Sequence, residues 1–180
     1  MLRITIPERD LFDEEKQEFI YIKGQTIDLE HSLVSLSKWE SKWKKPFISK
    51  DEKNEEETLD YIKCMTITQN VDPNAYKAIP DKEILRIKTY IEDPMTATWF
   101  PNKDKGRRSN EQVTAELIYY WMIALTIPME CQKWHLNRLL TLIKVCNAKN
   151  EPPKKMSRRD ALSRQAQLNA SRRKRLGTRG

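Results

Sequence analysis

Cys131 and His135 stand four residues apart, which on a helix would bring a thiol and an imidazole to one face as the start of a zinc site, with Cys146 or Cys64 as a further ligand. Against this, neither has a paired neighbour of the C-x-x-C kind, and a buried thiol beside a hydrogen-bonded interior histidine accounts for both residues. The rest of the reactive inventory is thin. Two histidines and four glycines are present, and G-x-G-x-x-G, the phosphate-binding loop, G-x-S-x-G and H-E-x-x-H are all missing. The sequence therefore points away from an enzyme, and no catalytic residue, metal or cofactor is expected.

What the chain does offer is charge. Its last 27 residues hold ten Lys/Arg against one acid, Asp160, while the preceding 153 residues are slightly acidic. Lys154, Lys155, Arg158, Arg159, Arg164 and the run Arg172, Arg173, Lys174, Arg175 form a basic arm with three open destinations: an acidic protein surface, the phosphates of a nucleic acid, or solvent. No aromatic residue follows Trp134, so base stacking on the arm is excluded.

The second resource is aromatic. Of five tryptophans, Trp121 and Trp134 lie in apolar runs and read as core. Trp99 and Phe100 lie instead in a proline-bounded stretch, Pro94 to Arg108, with Lys103, Lys105, Arg107 and Arg108 close behind. Two large rings there either fold back as a plug or anchor a partner. With Trp39 and Trp43, four residues apart on one predicted helix face, Trp99, Phe100, Arg107 and Arg108 make up the candidate partner-binding set.

These residues need a scaffold, and apolar residues are only 38% of the chain, so its core must be concentrated in a few segments. Leu2, Ile4 and Ile6 alternate with polar residues, and Phe19–Lys23 is expected to meet Thr26–Leu29 across a turn at Gly24-Gln25, giving a small N-terminal antiparallel sheet. Helical spacing begins at Ser32 and stops at Pro46. Asn54 with Glu57 predicts a capped helix, Asp72-Pro73 a short one, and Asp81 the cap of another with Ile84, Ile87 and Ile91 inward. Ser109 with Gln112 predicts the cap of a helix through Leu117–Leu125, apolar all round and expected at the centre of the core, and Pro128 opens a second from about Met129 to Asn147. Together they predict a buried helical hairpin over 109–147. Glu151–Lys155 is a proline linker, and Ser157 with Asp160 starts a last helix that has little apolar surface to hold it.

The expected organisation is thus a mainly α, α+β body over 1–150 and a basic arm over 151–180. Three widely spaced cysteines suit a reducing compartment. The longest near-apolar stretch, Leu117–Met129, is too short for a membrane span, and no signal peptide is expected at the N-terminus.

Several blocks carry a likeness: SLSKWESKWKKPF (Ser35–Phe47), LDYIKCMT (Leu59–Thr66), PMTAT (Pro94–Thr98), IYYWMIAL followed by IPMECQKWHLNRLLTLIKVC (Ile118–Cys146), and PPKKMSRRD (Pro152–Asp160). Together they resemble a family of tailed-bacteriophage proteins encoded among tail morphogenesis genes and labelled tail assembly chaperones. The resemblance implies a non-enzymatic viral protein of virion morphogenesis. Such a protein works by protein–protein interaction in the host cytoplasm, binding the tape measure protein and helping recruit tail tube subunits. A structural virion component, of the tail or the head-to-tail junction, docking through its basic arm is the alternative, and a nucleic-acid-binding protein the third. Whether the chain forms a homo-oligomer is left open.

Overall fold

The register of the N-terminal strands shows how the chain begins. In the computed structural model, which describes residues 1–13, 17–49, 51–100, 112–150 and 157–177, β1 (Leu2–Ile6) pairs antiparallel with β4 (Gln25–Leu29), and β2 (Arg9–Asp13) with β3 (Glu18–Ile22). Ile6 faces Gln25 and, three residues on and three back, Arg9 faces Ile22, so the two sheets are one ribbon bent in the middle. The bend falls at Pro7, which has no N–H to give to the ladder, and at Gly24, where a Cβ would lie 3.1 Å from the backbone nitrogen of Glu8. The expected pairing of Phe19–Lys23 with Thr26–Leu29 is therefore corrected: Gly24 marks a close crossing of backbones, and β3 and β4 belong to different sheets. Ile4, Ile6, Ile27 and Leu29 are buried on one face, while Arg3 and Asp28 form an ion pair of 2.8 Å on the other.

The helices that follow are set by their caps. α1 (Leu33–Trp43) starts with a capping box between Ser32 and Ser35, and α2 (Glu55–Met65) with one between Asn54 and Glu57. Asp72 caps a 3-10 turn over Pro73–Ala78. In α3 (Asp81–Glu92) the cap position falls on Pro80, so Asp81 is the first helical residue rather than the cap, where its charge still favours the helix N-terminus. α1 is the shared wall of the interior. Its Trp39 joins a cluster with the β1–β4 sheet, α2 and α3, and its Leu33 and Leu36 join a second with α4 (Ala115–Ala124) and α5 (Leu136–Asn150).

The expected helical hairpin over 109–147 differs in three ways. The cap of α4 is Thr114, whose Oγ1 accepts from the Leu117 N–H at 3.4 Å, while Ser109 lies outside the described residues. α4 is not buried all round: Ala115, Ile118 and Met122 face inward, but Tyr120 is 64% and Ile123 68% exposed. The second helix is also broken, with a 3-10 turn over Met129–Lys133 and α5 only from Leu136. Between them the backbone extends at Trp134 and pairs with the end of the sheet segment, His135 bridging Ser32 and the Leu136 N–H donating to the His31 carbonyl at 2.7 Å. That tertiary pairing takes the place of one helical turn.

The fold is mainly α, in the α+β class, and divides into two compact units, Met1–Asn147 and Ala148–Gly180. The second unit holds α6 (Arg158–Leu176), capped by the Ser157 hydroxyl, which accepts from the Asp160 N–H at 3.1 Å. Its end is closed by Gly177 at φ 63°, a left-handed position that glycine adopts without strain. Among the described residues, no helix is long and apolar enough to cross a membrane.

Candidate partner-binding surfaces

Trp39 is buried, 1% exposed, and its Nε1 donates to the Glu57 carbonyl at 2.9 Å. Trp43 stacks on it with ring centroids 6.2 Å apart and donates from Nε1 to Asp60 at 2.9 Å, while Lys42 pairs with the other oxygen of the same carboxylate. The two tryptophans lock α1 to α2. Sequence spacing placed them on one face correctly, but that face is internal, and Trp39 is corrected from a partner-binding residue to a core residue.

Trp99 is the opposite case. Its ring is 80% exposed, and Phe100 is 37% exposed, so Trp99 does not fill the core. The segment that presents them is held at its base: Asn137 donates from its side-chain amide to the carbonyls of Ile91 at 2.9 Å and Asp93 at 2.8 Å, and Asp93 accepts from the Met95 N–H at 2.7 Å. Arg107 and Arg108 lie outside the described residues, as do Lys154 and Lys155.

Three apolar surfaces escaped the sequence. The first is the outer stripe of α4, Tyr120 and Ile123, hidden by the expectation that this helix is wholly buried. Its signal was the spacing of Ala115, Ile118 and Met122, with Glu116 opposite them. The second is the face of the β2–β3 sheet carrying Phe12 and Phe19, opposed across the strands with ring centroids 5.1 Å apart. The third is a groove of about 290 Å³ lined by Ile48, Val113, Trp121, Leu140 and Ile143, with Lys144 and Asn147 as its polar members. It brings together α4, α5 and the segment after α1, a juxtaposition that residue spacing alone cannot show.

Arg158, Arg159, Arg164, Arg172, Arg173, Lys174 and Arg175 all lie on α6, where every described residue is exposed.

The polar centre of the body is the pair His31 and His135, 3% and 6% exposed with ring centroids 5.0 Å apart. His31 Nδ1 lies 2.6 Å from the Tyr61 hydroxyl, and burial, aided by the neighbouring imidazole, lowers the His31 pKa to about 3. Burial raises the Tyr61 hydroxyl pKa, so both groups are neutral and the hydroxyl donates to the ring nitrogen. His135 Nε2 donates to the Tyr90 carbonyl at 2.9 Å, and its buried Nδ1 has no partner among the described residues. Cys131 belongs to the 3-10 turn and His135 to the extended link after it, so the two do not share a helix face. Among the described residues, no group of three or more metal-ligating side chains converges.

No protein-family model matches the sequence, and neither a curated protein nor a solved structure matches the chain.

Proposed function

We propose that this is a non-enzymatic morphogenesis protein of a tailed bacteriophage, a tail assembly chaperone that holds the tape measure protein in the host cytoplasm while tail tube subunits assemble. One observation carries the reading: the apolar groove of Ile48, Val113, Trp121, Leu140 and Ile143. A tape measure protein presents long amphipathic helices, and an apolar groove receives such a helix through side chains spaced i, i+3 or i+4, and i+7. Trp99, projecting from an anchored segment, supplies the large rigid ring that anchors protein interfaces. The test is co-expression of the full chain with the tape measure protein. Wild-type chain should keep that protein in the soluble fraction, and Ile48→Glu, at a position 42% exposed, should release it into aggregates. Equal solubility with the variant would remove the groove from the account.

A second reading, a structural virion protein docking through its arm, is favoured by the seven cations of α6, which suit an acidic neighbour. Detection of the chain at fixed stoichiometry in washed particles would select it over the chaperone.

A further inference from the structure

α6 differs from the other helices in having no inside. Within Arg158–Leu176 there are seven cations and one acid, Asp160. At 3.6 residues per turn the cations are spread so that no arc wider than about 80° is free of them. The leucines offer no seam, since Leu162, Leu168 and Leu176 share their arc with Arg158, Arg172 and Arg173 and all three are exposed. Among the described residues none of the α6 cations is ion-paired.

We infer that α6 is a site for double-stranded nucleic acid, bound without sequence preference by laying the helix in the major groove. A groove on a protein, even an acidic one, would reward an apolar stripe as well as charge, and an anionic membrane surface would require one. A duplex groove asks for neither. Its walls are two rows of phosphates, so cations on both flanks of the inserted helix find partners. The dimensions agree: 19 residues make a rod about 28 Å long, and a helix about 10–12 Å across fits a groove about 12 Å wide. With no aromatic residue on α6, stacking on unpaired bases contributes nothing, which favours duplex over single strand. The site depends on this unit alone and holds whichever partner the body takes.

The experiment uses the full chain and a fluorescent 30-base-pair duplex of arbitrary sequence, with binding read by anisotropy from 50 to 200 mM salt. About five neutralised phosphates give a slope near −4.5 in log K against log salt, and so a loss of about 500-fold over that range. Substituting Arg172, Arg173, Lys174 and Arg175 with Gln, which keeps helix propensity, should weaken binding at least about 100-fold at 100 mM and flatten the slope by about three. Substituting Arg172, Arg173 and Arg175 with Lys, which keeps the charge, should leave most of the affinity. Circular dichroism on each variant checks that α6 is still helical. Unchanged affinity in the Gln variant, or tighter binding to polyglutamate of equal charge than to the duplex, overturns the inference, the latter in favour of an acidic protein partner.

Discussion

Glu40 on α1 and Ala115 at the start of α4 are joined by a single buried hydrogen bond, the Ala115 N–H donating to Glu40 Oε2 at 2.7 Å across 75 residues of sequence. The other carboxylate oxygen accepts from the Phe47 N–H at 2.7 Å. One side chain therefore satisfies the first backbone donor of α4, sets its carboxyl group at that helix's positive end, and fixes the chain after α1 from which Ile48 enters the groove.

Removing that carboxylate should be costly. Glu40→Ala leaves two backbone N–H groups, one buried and one part-buried, without their acceptors and should destabilise the body by about 3 kcal/mol, whereas Glu40→Gln, which retains one acceptor oxygen, should lose about 1 kcal/mol. Urea unfolding of the two variants measures the difference, and equal losses would mean that the one oxygen Gln retains contributes nothing on its own.

The two exposed and buried tryptophans predict opposite outcomes. Trp39→Ala should cost about 3–5 kcal/mol, because it empties a fully buried site and removes the indole hydrogen bond that ties α1 to the Glu57 carbonyl of α2. Trp99→Ala with Phe100→Ala should leave stability within about 0.5 kcal/mol of wild type and weaken partner capture. Unfolding midpoints and pull-down yields, taken on the same preparations, separate the two roles. A large fall in midpoint for the Trp99 pair would make it part of the core.

The His31 site sets a pH dependence. Its pKa is lowered from 6.5 to about 3, so as pH falls below 6.5 the unfolded chain takes up a proton that the folded chain refuses. Stability is present in full above pH 6.5 and is lost as pH falls towards 3, by about 1.4 kcal/mol per unit and about 3 kcal/mol by pH 4. Carboxylates add to the loss only at lower pH: Asp28, hydrogen-bonded to Arg3, and Glu57, hydrogen-bonded to Lys45, are held below their ordinary values of 3.8 and 4.5. Denaturant unfolding between pH 7 and 5 therefore isolates the histidine. His31→Gln should flatten that slope, and a slope unchanged by the substitution would assign it elsewhere.

The sequence showed local features and hid the ones that depend on partners distant in the chain. The caps at Asn54, Asp72 and Ser157 were readable because each rests on residues within a turn of itself. Strand pairing was misread because Gly24 suits a turn and a close backbone crossing equally well, and only the register distinguishes them. The break before α5 has no local mark: Trp134 and His135 suit a helix, and it is the pairing with His31 and Ser32 that pulls them out of it. For the candidate surfaces, composition found Trp99 and the arm because each is conspicuous alone. It could not separate Trp39 from Trp99, since the difference lies in what packs over each ring.

Under the proposed function this chain holds another protein during assembly and is not part of the finished particle. The most direct measurement is mass spectrometry of nuclease-treated, salt-washed material co-purifying with it from infected cells, set beside the protein content of purified particles. A chaperone should be recovered with a very long, helix-rich protein and be absent from particles. Recovery without such a protein, or presence in particles at fixed stoichiometry, would contradict the proposed function.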